Sequence, residues 1–185
     1  MTTGYALAIL FTLGWIVIFV FRVETVRAAF PHYDRNERFW VLVTPAVLGA
    51  HFTLGCFTSS AEPSMAVSRA AASAAVFVAG VSVWFWGRRG VGPLRVRRLP
   101  SEAPSEFRRD GAFALVRNPM FFGSLLASLA PVLATPRLSL LSSFAFCAVA
   151  LCMCAIQDER RLHRQLGPAY AQYCQEVKRL IPFIW

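Results

Sequence analysis

The chain has 185 residues, of which 56% are hydrophobic and only 16% charged, with a formal charge of +9. Its apolar residues fall in long uncharged blocks rather than in the alternating patterns of a soluble domain. The basic excess invites a nucleic-acid partner, but the positions of the cations exclude that reading, and five cysteines placed mostly inside the apolar blocks imply no disulfide framework.

Residues 5–21, 39–57, 70–86, 119–135 and 138–157 hold no Asp, Glu, Lys or Arg, and each has the length, about 17 to 20 residues, that a helix needs to cross hydrocarbon. The basic side chains sort by side. Arg22, Arg27, Arg35 and Arg38 follow the first block, and Arg88, Arg89, Arg95, Arg97, Arg98, Arg108, Arg109 and Arg117 follow the third. Arg160, Arg161, Arg164, Lys178 and Arg179 follow the fifth, so seventeen cations lie on one side against only Arg69 and Arg137 on the other. The positive-inside rule then predicts an outer N-terminus, with the long basic loop and the C-terminus in the cytoplasm.

Taken in order, residues 5–21 are expected to remain as a span, because no basic region precedes them and WIVIFVF offers no small-residue cleavage site. In the second block Pro45 is expected to kink the helix. His51 shares that block with Thr53; an ionisable group there is a functional candidate by default, and a hydrogen-bonded packing residue is the plainer expectation. The third block places Ala71, Ala75 and Ala79 four apart, with Gly80 and Ser82 nearby, which predicts a small face for close helix approach. Trp84 and Trp86 mark its interfacial end, and Arg88 and Arg89 anchor it. The stretch GVGPLRVRRLPSEAPSEFRRDG then reads as a loop in which Gly90 and Gly92 make a turn.

The fourth block opens on Asn118 and Pro119, the order expected of an N-cap and a first helical residue, whose first-turn amides favour an anion such as a carboxylate. Between Pro131 and Pro136 the short turn ATPR predicts a tight antiparallel hairpin over 118–157, bringing Arg117 and Asn118 beside Asp158 and Glu159. Beyond it, Gly167 and Pro168 divide the tail. Tyr170, Tyr173, Val177 and Leu180 recur at helical spacing, as in a lid lying on the membrane or docked over the bundle. The expected fold is thus all-α: a polytopic membrane helix bundle of about five transmembrane helices with a C-terminal cytoplasmic helical segment. Residues 1–87 form a first group of three spans and 88–185 form the core that carries the chemistry.

From residue 110 onward the chain reads DGAFALVRNPMFFG, an apolar hairpin, an acidic pair and LGPAYAQYCQEVKRLIPF. This resembles the isoprenylcysteine carboxyl methyltransferase family, with its bacterial relatives and the related phospholipid methyltransferases. Gly111, Arg117, Asn118, Pro119 and Gly123 fit the first family motif, with Phe121 at the usual Tyr position and Asn118 where the eukaryotic enzymes carry His. Asp158, Glu159, Gly167, Tyr170, Tyr173, Arg179 and Pro182 fit the second, with Leu166 in place of Phe. The resemblance implies a membrane bundle whose cytoplasmic end and C-terminal segment enclose S-adenosyl-L-methionine, while a lipophilic methyl acceptor enters sideways from the bilayer.

The residue types suit that cofactor, which carries a sulfonium, an ammonium, a carboxylate and a ribose. Asp158 or Glu159 suits the ribose hydroxyls or the ammonium; Arg117 and the amides after Asn118 and Pro119 suit the carboxylate. Phe121, Tyr170 and Tyr173 suit the adenine or the sulfonium, and Gly111 and Gly123 belong to the same motif. For the chemistry, Arg117 or Arg179 would orient a carboxylate or thiolate acceptor, and Glu159 would receive the proton of an amine. No metal is implied. The alternatives are a structural ion pair between Arg117 and Glu159, and a non-catalytic membrane relative serving as a binding or assembly subunit.

Overall fold

The computed structural model describes residues 3–29, 33–61, 66–91 and 109–184. Gly92, Arg95, Arg97, Arg98 and Arg108 of the basic loop and Pro31 lie outside them, as do the side chains of Arg22 and Arg27. The described residues form helices α1 (Thr3–Ala29), α2 (Arg35–Ser60), α3 (Val67–Val91), α4 (Ala112–Leu115), α5 (Pro119–Ala134), α6 (Leu138–Leu166) and α7 (Pro168–Glu176). Four of them, α1, α2, α3 and α6, are long and apolar enough to cross a membrane.

The fifth apolar helix, α5, has only 16 residues. At 1.5 Å per residue it reaches about 24 Å, short of the roughly 30 Å hydrocarbon layer. Arg117 and Asn118 precede it, and two residues of chain can span at most about 7 Å more. On the partner helix the distance from Leu138 to Glu159 is about 32 Å by the same rise. The three-residue turn Thr135–Arg137 joins the two helices, so Arg117 and Glu159 arrive at the same height by counting alone.

The core is built around Phe11 of α1, whose ring lies 5.1 Å from Phe77 of α3 and 6.3 Å from Phe52 of α2. Gly14 makes room for it, since a Cβ there would stand 2.4 Å from the Phe77 ring. Helices α3 and α5 meet backbone to backbone: a Cβ on Gly80 would lie 2.5 Å from the Ala127 amide nitrogen, and one on Gly123 would lie 2.6 Å from the Gly80 carbonyl oxygen. Here the sequence expectation needs correction. Ala71, Ala75, Ala79 and Ser82 are exposed, and the buried face of α3 is Ala70, Ser73, Phe77, Gly80, Trp84 and Gly87. The crossing uses two glycines instead, Gly80 and Gly123, which let the backbones approach more closely than alanines would. Trp84 is likewise core rather than belt, while Trp86 is exposed.

Several buried polar groups are satisfied across helices, as a low-dielectric interior favours; among the described residues Ser59 Oγ and Gln157 Nε2 are the buried side-chain atoms without a hydrogen-bond partner. His51 is buried among α2, α5 and α6, with Nε2 2.7 Å from the Ser128 carbonyl oxygen and Nδ1 2.8 Å from Ser143 Oγ. A carbonyl only accepts, so Nε2 carries the proton. This is the packing role expected of it. Ser73 donates to the Ala130 carbonyl and Thr135 to Thr58 Oγ1, tying α3 and α2 to the same α5 helix. Helix α2 runs through Pro45 and starts on a capping box, in which Asp34 and Glu37 each accept from the other's backbone amide.

Candidate functional site

The chain enters α5 through Gly111, at φ 61°, and the single turn α4. That positive φ favours glycine, although a Cβ there would meet Trp86 Nε1 at an ordinary contact distance of 3.6 Å. Val116 then leaves the helical region and pairs in parallel with Lys178 from the C-terminal tail. The Arg117 amide donates to the Lys178 carbonyl at 2.8 Å and the Asn118 amide to the Arg179 carbonyl at 3.1 Å. These contacts end α7 at Glu176, so Val177 and Leu180 belong to an extended strap rather than to the continued helix that their spacing predicted.

Glu159 is the centre of the cluster. Arg117 donates to it through both arms of its fork, Nε to Oε1 at 2.9 Å and Nη2 to Oε2 at 3.2 Å. Asn118 Nδ2 donates to Oε1 at 3.1 Å and Arg179 Nε to Oε2 at 2.8 Å. The carboxylate therefore accepts four charge-assisted or amide hydrogen bonds while only 4% exposed. Arg117 is 9% exposed, and its remaining donors go to the carbonyls of Cys174 and Val177. Burial alone would lower its pKa, but the hydrogen bond and the charge of Glu159 outweigh burial and hold the guanidinium above its ordinary value.

The predicted residues divide by where they fall. Arg117, Asn118, Glu159 and Arg179 meet. Asn118 stands at the N-cap position, but its side chain turns to Glu159 and the Arg179 carbonyl instead of capping α5. Pro119 opens α5 as expected, beneath Gly87 of α3, and Gly123 serves the helix crossing. Tyr170 and Tyr173 are buried in a second apolar cluster with Leu166, their rings 5.8 Å apart. Tyr173 ties the tail to the motif by donating to the Phe113 carbonyl at 2.6 Å.

Two predicted residues lie elsewhere. Asp158 is turned about 100° around α6 from Glu159 and pairs at 3.0 Å with Arg161, whose guanidinium covers the Tyr33 ring. Phe121 packs against the main apolar core. Sequence reading missed the second charged junction, where Arg164 of α6 reaches the buried Glu37 of α2 at 3.3 Å. The D-x-x-E order of Asp34 and Glu37 was its available signal. It also missed Gln157, whose buried Nε2 lacks a hydrogen-bond partner among the described residues.

Fold and apolar surface together define an integral-membrane, all-α helix bundle with a polar cluster at one end. Protein-family models, curated proteins and solved structures were compared with the chain, and none matches it.

Proposed function

We propose that this chain is an integral-membrane methyltransferase that uses S-adenosyl-L-methionine and acts on a lipophilic acceptor, a carboxylate, thiol or amine, presented from the bilayer. The observation that carries the reading is the convergence of Arg117, Asn118, Glu159 and Arg179 at the end of an apolar hairpin. The motif resemblance had named these residues as one site.

The donor set fits the cofactor in kind: guanidinium and amide donors for its carboxylate, a carboxylate for its ammonium or ribose, and tyrosines for its base. Bound there, S-adenosylmethionine supplies an electrophilic methyl group. Arg117 is the fixed positive charge of the site, since its fork is held by one carboxylate and two carbonyls. Arg179 is the adjustable one, its side chain 29% exposed against 8% for Arg117, and it can exchange Glu159 for an incoming anion. That exchange opens one oxygen of Glu159 to a ligand cation or to a proton. The apolar walls of α5 and α6 exclude water from the reacting atoms.

The saturation of Glu159 favours a second reading, in which the cluster is a structural clamp in a non-catalytic binding or assembly subunit. Calorimetric titration of the purified protein with S-adenosylhomocysteine separates the two. Saturable binding that weakens in Arg179→Ala supports the enzyme, and no binding at millimolar ligand supports the clamp.

A further inference from the structure

The parallel pairing of Val116 with Lys178 fixes the direction of the tail. Over Lys178 and Arg179 the tail runs in the same sense as the chain entering α5, the two carbonyls accepting from the Arg117 and Asn118 amides. Along the tail, exposure changes character at this level. From Gln172 to Lys178 the exposed side chains are Gln172, Gln175, Glu176 and Lys178, and after Arg179 they are Phe183 and Ile184, 90% and 75% exposed. Leu180, between them, is fully buried and plugs the strap into the bundle.

Residues 181–184 then close a turn, with the Ile184 amide donating to the Ile181 carbonyl at 3.2 Å. Phe183 sits at φ 66°, a region that side-chain-bearing residues rarely adopt. The turn therefore presents a phenyl ring outward, and a ring exposed to that degree has little protein around it. The neighbouring interfacial marker is close in height: Trp86 is exposed on α3, and the adjacent Gly87 packs on Pro119 at the start of α5.

We infer that residues 180–184 are an interfacial membrane anchor, with Phe183 and Ile184 seated among the upper acyl chains of the bilayer that the bundle itself crosses. Lipid is the occupant because the turn follows directly on the strap that is hydrogen-bonded at the start of the apolar helix α5, and because the exposed side chains change there from polar to apolar. The anchor holds the strap, and with it Arg179, against α5 and α6. The inference does not depend on methyl transfer.

The test uses full-length protein reconstituted in phosphatidylcholine vesicles. Replacing Trp185 by Phe and comparing that protein with the double variant that also carries Phe183→Trp isolates the emission of position 183; Ile184→Trp in the same background is the second probe. Each probe is expected to lose most of its emission with lipids brominated high on the acyl chain and little with aqueous iodide. Quenching by iodide rather than by brominated lipid overturns the anchor. Insensitivity to both, with or without intermolecular crosslinking at this turn, also overturns it, because a protein surface or a second copy would then be the occupant.

Discussion

Removing the charge of Glu159 while keeping its shape isolates what the carboxylate does. In Glu159→Gln the guanidinium of Arg117 stays buried with only carbonyls around it, and uncompensated buried charges of this kind cost about 3–5 kcal/mol. Thermal unfolding in detergent is expected to show a large drop in Tm for Glu159→Gln and a smaller one for Arg179→Ala, whose side chain is the more exposed partner. Equal and small effects would mean that the cluster holds little together. Cys174 supplies a pH test at the same place. Burial pushes its thiol above the ordinary 9.0, with Arg117 opposing. The folded chain thus keeps this proton longer than the unfolded chain, so the contribution is intact below pH 9 and lost as the pH rises further. Alkaline destabilisation measured by denaturant titration should be shallower in Cys174→Ala. What the sequence conveyed at this scale was the residue set; what it could not convey was orientation. Asp158 and Glu159 are equivalent as letters, and only the helical rotation fixed by α5 packing turns one of them to Arg117 and the other to Arg161.

The hairpin of α5 and α6 was readable because its cause is local: two prolines, a turn too short for any other path, and two apolar runs. Gly167 with Pro168 was readable for the same reason, and its φ of 56° with ψ −134° lies outside the αL region of the usual helix-ending glycine but in a region that glycine enters without a Cβ penalty. The strap was not, because its extended form depends on the Arg117 and Asn118 amides, residues about 60 positions away. The α3–α5 crossing belongs to the same class, since small residues on one helix do not reveal which partner lacks a Cβ. Gly80→Ala places a methyl group against backbone atoms that cannot turn aside, an overpacking that costs about 1–3 kcal/mol. Gly49→Ala, where the new carbon meets the Trp15 ring at 3.4 Å, is the matched control. Comparing the two by thermal unfolding in detergent should show a clear loss only for Gly80→Ala, and equal losses would contradict the assigned crossing.

At the scale of the molecule, four long apolar helices and one short one among the described residues build a bundle whose interhelical ion pairs collect at one end. Two charged junctions close that end: Glu159 with Arg117 and Arg179, and Glu37 with Arg164. The composition made the membrane bundle legible, because uncharged runs of that length have few other uses. The functional proposal came only through the resemblance of residues 110–185, since no spacing of charged residues by itself specifies a methyl donor. The direct measurement is methyl transfer. Membranes containing the protein are incubated with methyl-labelled S-adenosylmethionine, and the lipid-extractable products are resolved. The account predicts a labelled lipophilic product that depends on the protein and falls sharply in Arg179→Ala, a variant expected to remain folded. Label equal to that in membranes lacking the protein would contradict it.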